Sequence, residues 1–172
     1  MSYQFRRGLG ETQEGGGAVS EVFQAGSRIV AGDYDSWHRE WLHIADRNDR
    51  RGDEALAQGH VRTAINCWLR AANYFREAEF WLAADDARRM PTFERCEAAS
   101  VKAFTHMTPR AEVVQIPYED GKPLPAYFIR SPHGGARQPV LISVGGLDSF
   151  KDELWFMTGR GAVQRGMSVL LV

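Results

Sequence analysis

The feature that most constrains the fold of this chain is a change of hydrophobic period near Pro109. Before Pro109, apolar side chains recur at steps of three and four residues, which is typical of amphipathic helices. After it, short apolar or alternating runs are separated by turn residues, which is typical of strands. The chain has 172 residues, of which 44% are hydrophobic. That is enough to bury a core of ordinary size and to form one or two domains.

The first part predicts at least three helices. Asp33 is placed to cap the first of them. The second carries a long apolar stripe over residues 61–82 and is the clearest helix in the sequence. The third begins near Pro91, because proline suits a first helical turn, and ends before Pro109. We therefore expect residues 34–106 to be almost wholly helical.

The composition of the chain and the period of its apolar residues together predict three segments. Residues 1–17 contain five glycines and few apolar residues, so residues 1–32 are expected to be a flexible arm or a short N-terminal helix. Residues 33–108 form the helical part. Residues 109–172 begin a sheet domain.

The first strands predict a hairpin. Residues 112–118 and 124–130 flank Asp120-Gly121, a pair typical of tight hairpin turns. The run 139–144 is almost continuously apolar, which favours a strand covered on both faces and central in its sheet.

A glycine loop follows that apolar run, then a predicted helix from about residue 152 to 164 and a last strand at 167–172. Strand, loop, helix and strand in this order predict a βαβ unit with parallel strands. The fold class is therefore α/β, with a helical segment, an antiparallel hairpin and a first parallel βαβ unit.

The loop Gly145–Ser149 is the segment with a chemical interpretation. Glycines after a buried strand allow a sharp turn at the edge where α/β sheets bind ligands, and backbone N–H groups exposed there can stabilise an oxyanion. Ser149 and Asp152 have the spacing of a capping box. The alternative is a plain tight turn. The glycine spacing fits neither a dinucleotide-binding fingerprint nor a phosphate-binding P-loop.

Charge and residue spacing exclude several classes of function. With 21 basic and 22 acidic residues, the chain lacks the basic excess of proteins that bind nucleic acid or anionic membranes. The five histidines lack metal-ligand spacing, so we expect no metal and no cofactor. Cys67 and Cys96 are interpreted as buried, reduced thiols in a cytoplasmic protein. The partner is expected to be a small molecule, and a homodimer stays open.

Other side chains have a functional and a structural interpretation. Asp152 or Glu153 would serve as an auxiliary acid, although carboxylates in a first helical turn are favoured by the helix dipole alone, and we prefer that explanation. The many aromatic residues of the helical part are typical of a core, but some would also line a substrate cavity. Trp68 and Tyr74 are our candidates for substrate binding.

Three stretches carry a family resemblance: Gly59–Ala64 with Arg70–Ala78, the hairpin with Leu124–Tyr127, and Pro139–Ser149. Together they resemble the α/β hydrolases that include 2,6-dihydroxypseudooxynicotine hydrolase, the fungal yellowish-green pigment polyketide-shortening hydrolases and the FrsA-like esterases. The resemblance implies that the helical segment 33–108 is a cap over the active site. It implies cleavage of a carbon–carbon bond next to a ketone, or of an ester bond, by a serine-dependent acyl transfer.

Of the catalytic machinery, the resemblance places only the oxyanion loop. Gly146 and Leu147 match the positions of backbone oxyanion donors, and a β-branched residue in place of Gly146 is expected to disturb them. The G-x-S-x-G elbow that carries the serine in such enzymes is absent between Met1 and Val172. We therefore expect a chain truncated before the nucleophile, inactive by itself, within an enzyme that acts on a small ketone or ester.

Two alternatives stay open. One is a non-catalytic helical interaction module, because Trp68–Ala78 has some features of a tetratricopeptide helix, although no repeat of about 34 residues is present. The other is a split or truncated hydrolase that needs a second chain to complete its sheet.

Overall fold

The computed structural model describes residues 3–172 and divides the chain into two compact units. The helical unit ends at Ala103, and the sheet unit comprises Phe104–Val172. The division lies a few residues before the expected one near residue 108, because the end of the last long helix packs on the sheet. The ring centroid of Phe104 is 4.7 Å from that of Tyr127 and 5.8 Å from that of Trp155. Each unit is described by itself.

The helical unit is built from five α-helices, of which the last runs into the sheet unit. They are α1 (Tyr3–Glu11), α2 (Val19–Gly26), α3 (Tyr34–Ala57), α4 (Val61–Glu79) and α5 (Arg89–His106), with a 3₁₀ turn at Thr12–Glu14. The predicted cap of α3 is confirmed, since the Ser36 N–H donates to Asp33 Oδ1 over 3.0 Å. The helical prediction for residues 34–106 is confirmed apart from the two connections.

The N-terminal segment is helical and docked, where its glycine content suggested a loosely attached arm. Gln4, Phe5 and Glu11 of α1 are buried, as are Val22 and Ala25 of α2. Spacing these few apolar residues along two short helices gives each helix a buried face, which the bulk composition of the segment conceals.

The core of the helical unit is aromatic, as its helical spacing predicts. The Trp41 ring packs between two others: its centroid is 5.7 Å from that of Trp37 and 5.6 Å from that of Tyr74. Cys67 and Cys96 are buried, as expected, and no disulfide joins them. No helix within residues 3–172 is both long and apolar enough to span a bilayer.

The sheet unit contains four strands in the order β1-β2-β4-β3. They are β1 (Glu112–Pro117), β2 (Pro123–Ile129), β3 (Val140–Ser143) and β4 (Ser168–Leu171). β1 pairs antiparallel with β2, and β3 pairs parallel with β4, as predicted. Asp120 and Gly121 have φ of 56° and 72° at the hairpin turn, the left-handed conformation that this residue pair accepts readily.

The βαβ unit differs from its sequence prediction in where the crossover helix starts. A π-helical turn, Trp155–Gly159, leads into α6 (Arg160–Gln164), so the regular helix begins later than residue 152. Within residues 3–172, β3 is the outer strand of the sheet, and Ile142 and Val144 are 63% and 70% exposed. A β3 that is covered on both faces and central in its sheet stays a prediction for the complete protein.

Candidate oxyanion loop

The loop Gly145–Ser149, here called the glycine loop, lies at the carboxyl end of β3. Parallel pairing with β4 fixes that end, and the Val172 N–H donates to the Ser143 carbonyl over 2.9 Å. A turn then reverses the chain, closed by the Ser149 N–H donating to the Gly146 carbonyl over 3.3 Å. The carboxyl edge of a parallel pair is the place where α/β sheets bind ligands, so the position of the loop suits a binding role.

The space around the two glycines of the loop differs, so the need for glycine differs between the two positions. A Cβ atom added to Gly145 would lie 2.7 Å from Ser149 Cβ and 2.8 Å from the Ser149 carbonyl oxygen. A Cβ atom added to Gly146 would meet only Asp148 Oδ1, at 4.0 Å. Close packing of the loop on itself therefore requires glycine at 145. The sequence pattern predicts the same part in the turn for both glycines, and a β-branched residue at 146 as the disturbing substitution.

The two candidate donors are accessible. Within residues 3–172, the backbone N–H groups of Gly146 and Leu147 donate to no acceptor. Both residues are exposed, and the Leu147 side chain points fully into solvent. These N–H groups are free to donate to a ligand oxygen, which is the chemical requirement for an oxyanion donor.

Three buried charged residues follow the loop directly. Lys151, Asp152 and Glu153 are 7%, 3% and 1% exposed. Glu153 Oε1 accepts from the Phe150 N–H over 3.0 Å, and Asp152 Oδ1 accepts from the Tyr127 hydroxyl over 2.9 Å. The carboxylate that caps the loop backbone is therefore that of Glu153, one position beyond the Ser149–Asp152 spacing expected from the sequence.

The predicted substrate-binding residues lie inside the helical unit. Trp68 is 1% exposed and its indole N–H donates to Asp53 Oδ1 over 3.0 Å. The buried Tyr74 hydroxyl donates to Glu21 Oε2 over 2.9 Å and accepts from the Ala18 N–H over 2.8 Å. Burial, together with the Glu21 carboxylate, raises the pKa of Tyr74, so its hydroxyl stays protonated. A role of these two residues in substrate binding stays a prediction.

A cavity of about 490 Å³ opens elsewhere on the helical unit. Neither Trp68 nor Tyr74 lines it; its walls include Phe5, Ile29, Val30, Tyr34, Trp37 and Trp81. Tyr34 and Trp81 stack with their ring centroids 5.4 Å apart. Helical periodicity does not separate Trp37 from the core residues of α3, and Trp81 lies beyond the end of α4, where helical periodicity does not apply.

A buried ionic cluster also lies in the helical unit. Arg76 Nη2 donates to Glu77 Oε1 over 2.7 Å and to Glu11 Oε2 over 3.3 Å, and Gln4 Nε2 donates to Glu77 Oε2 over 3.2 Å. Burial raises the pKa of Glu77 from 4.5 to about 7, although the Arg76 guanidinium opposes the shift. The four side chains come from α1 and α4 and meet only in the folded unit, so no local sequence pattern identifies the cluster.

Two serines of the sheet unit, Ser143 and Ser168, are engaged in local contacts. The Ser143 and Thr158 hydroxyls lie 3.0 Å apart, and the Ser168 hydroxyl donates to Gln138 Oε1 over 2.6 Å. Over residues 3–172 the structure shows no group of three His, Cys, Asp or Glu side chains arranged to hold a metal ion.

Comparison with known proteins shows relatives over nearly the whole chain. No family model matches the sequence. The chain is 36% identical to the alpha/beta hydrolase pydG of Acremonium sp, over 99% of this chain and 41% of that protein. It is 32% identical to the 20-hydroxy-prefusarin hydrolase FUS2 of Gibberella moniliformis, over 98% of this chain and 42% of that protein.

A solved structure also matches nearly the whole of this chain. The crystal structure of 2,6-dihydroxy-pseudo-oxynicotine hydrolase matches 95% of this chain and 44% of its own chain, with a TM-score of 0.78 and 28% identity. The chain thus spans about two fifths of the length of the curated relatives cited here, 41% and 42%.

Proposed function

This chain is the N-terminal portion of an α/β-hydrolase fold, and from that premise we propose that the complete protein is a serine-dependent hydrolase. In this proposal it cleaves a carbon–carbon bond next to a ketone, or an ester bond, of a small molecule by acyl transfer. One observation carries the proposal: the glycine loop presents two uncommitted backbone N–H groups at the carboxyl end of β3. The hydrolase names of the relatives support it.

The proposed role of the loop is electrostatic. Attack on a carbonyl carbon moves negative charge onto the carbonyl oxygen, and a donor aimed at that oxygen stabilises the transition state more than the ground state. The N–H groups of Gly146 and Leu147 are proposed as such donors. The nucleophile, its base and the acid are proposed to lie outside residues 1–172, because the sequence contains no G-x-S-x-G elbow.

The helical unit is proposed to contact the substrate through aromatic rings. The cavity lined by Tyr34, Trp37 and Trp81 is better suited to this than Trp68 and Tyr74, because those two rings are buried and their polar atoms are engaged. A cytoplasmic location and a homodimer remain part of the prediction.

The test uses the complete protein and the 172-residue chain side by side. A fluorophosphonate probe should acylate one serine of the complete protein, and activated esters or β-diketones should be hydrolysed. The chain alone should give neither result, because oxyanion donors without a nucleophile provide no covalent route. Absence of both labelling and turnover in the complete protein would overturn the proposal and favour the interaction module.

The glycine pair supplies a variant for the same assay. Within that pair, Gly145→Ala introduces a Cβ at the crowded position and should lower kcat by ~10²-fold, the scale of losing one oxyanion donor. Gly135→Ala, outside the glycine loop, is the matched control: its added Cβ meets no atom within 4 Å, and kcat should stay within about threefold of the unmodified protein. Equal effects of Gly145→Ala and Gly135→Ala would show that close packing of the loop is not what matters.

A further inference from the structure

The run Lys151-Asp152-Glu153 buries three successive charged side chains immediately after the glycine loop. Burying a charge costs free energy unless hydrogen bonds or an opposite charge offset the lost hydration. A run of buried charges on the connection between β3 and the crossover helix therefore needs contacts that offset the lost hydration. The hydrogen bonds of Asp152 and Glu153 are such contacts.

Glu153 closes the exit of the loop. Its carboxylate accepts from the Phe150 N–H over 3.0 Å, and its own N–H donates to the Phe150 carbonyl over 3.1 Å. The first bond is the carboxylate half of a capping box, and the second closes a backbone turn between the same two residues. Phe150 is bonded covalently to Ser149, so the two bonds fix the last residue of the glycine loop.

Asp152 ties the same exit to the sheet. Its Oδ1 accepts from the Tyr127 hydroxyl over 2.9 Å, and its Oδ2 lies 3.3 Å from Lys151 Nζ. Tyr127 is itself held: it pairs with Leu171 of β4 in the sheet register, and its ring packs on Phe104. Lys151 Nζ completes the arrangement 5.1 Å above the same ring.

The helix dipole is not the only contribution to these carboxylates. The crossover helix begins with the π-helical turn at Trp155, after both residues, and each carboxylate oxygen named above has its own hydrogen-bond donor. The hydrogen bond between Tyr127 and Asp152 also joins two stretches that lie apart in the sequence, since Tyr127 precedes Asp152 by 25 positions.

We propose that Asp152 and Glu153 are positioning residues that fix the direction of the Gly146 and Leu147 N–H groups. β3 holds the glycine loop at Ser143, the Glu153 carboxylate holds Phe150, and the bond from Tyr127 holds Asp152. Both ends of the loop are therefore fixed while its donors face solvent. This inference rests on the proposed oxyanion function of the loop. Neither residue touches the substrate; each acts through the loop backbone.

The test measures kcat, KM and thermal midpoint in the complete protein. Glu153→Ala removes the acceptor for the Phe150 N–H and should lower kcat by ~10²-fold with KM changed less than about threefold, as expected when a transition-state contact is misaligned. Glu153→Gln keeps an acceptor oxygen and should recover most of that loss. Glu112→Gln, an exposed carboxylate on β1, is the control and should behave as the unmodified protein.

A double-mutant cycle tests the second anchor. Tyr127→Phe deletes one oxygen atom and keeps the ring, so it should fold even if Asp152→Ala does not, and it should lower kcat by ~5- to 10-fold. If Asp152→Ala folds, adding Tyr127→Phe to it should have little further effect, because both changes remove the same hydrogen bond.

The outcomes separate this role from the proposed function. If the unmodified protein is active and both Glu153→Ala and Tyr127→Phe lower only the thermal midpoint, leaving kcat unchanged, the positioning role is wrong and the function stands. If the unmodified complete protein neither turns over nor labels, both are overturned.

Discussion

The helical unit and the sheet unit both bury charged side chains, but one cluster lies between two helices and the other lies next to an exposed loop. In the helical unit, Arg76, Glu77 and Glu11 bond to one another and to Gln4, so the cluster holds α1 against α4. In the sheet unit, Asp152 and Glu153 bond to a strand and to the end of an exposed loop. Buried charge joins helices in one unit and supports an accessible backbone in the other.

The comparison teaches what each cluster should control. A closed ionic cluster contributes to the stability and register of the helices that it joins. A cluster behind an exposed loop contributes to the geometry of that loop. Substitutions in the helical unit should therefore appear first in unfolding experiments, and those in the sheet unit first in catalysis.

The largest effect on stability is expected for Arg76→Ala. The substitution leaves the Glu77 and Glu11 carboxylates buried without their shared cation, and should lower the free energy of unfolding by about 3–5 kcal/mol. Chemical denaturation followed by tryptophan fluorescence measures it. Arg88→Ala is the matched control: its side chain is 45% exposed and pairs with Asp86 and Asp35, so its loss should lower the free energy of unfolding far less than Arg76→Ala does. Equal losses would remove the distinction between buried and exposed pairs.

A smaller effect is expected for Gly52→Ala in α3. The added Cβ would lie 2.4 Å from Trp68 Nε1, so the buried indole has to shift, and the free energy of unfolding should fall by about 1–3 kcal/mol. Gly10→Ala in α1 meets no atom within 4 Å and should be neutral or slightly stabilising. If Gly52→Ala proved neutral, the close packing of Trp68 on α3 would be wrong.

The smallest effect is a pH dependence set by Glu77. Its pKa in the folded protein, about 7, lies above the ordinary 4.5, so the folded state binds the proton more tightly than the unfolded state. The stability from this group is fully present below pH 4.5 and is lost as the pH rises through about 7. Glu77→Gln should flatten the decline in unfolding midpoint between pH 5 and pH 8. An unchanged slope in the variant would assign the decline to other groups.

Local sequence signals predicted the elements well, because each depends on neighbouring residues. The Asp33 cap, the stripe of α4 and the Asp120-Gly121 turn are all of this kind. For residues 1–32 the sequence left a flexible arm and a short N-terminal helix both open, because the few apolar residues of this segment are dispersed among glycines; the structure has two helices there, α1 and α2.

The site was harder to predict because its important contacts are distant in sequence. The glycine loop itself was identified from its position after an apolar strand. The bond between Tyr127 and Asp152 depends on the sheet order, which no local pattern contains. The different roles of Gly145 and Gly146 depend on how closely the chain approaches Ser149.

The most direct test of the central proposal is a crystal structure of the complete protein with a phosphonate that mimics the tetrahedral intermediate. The proposal predicts that the phosphonate oxygen lies within ~3.1 Å of the Leu147 nitrogen, in the direction of its N–H bond. A phosphonate bound to the catalytic serine with its oxygen beyond hydrogen-bond reach of Leu147 would contradict the proposal, and the glycine loop would then be only a tight turn between β3 and the crossover helix.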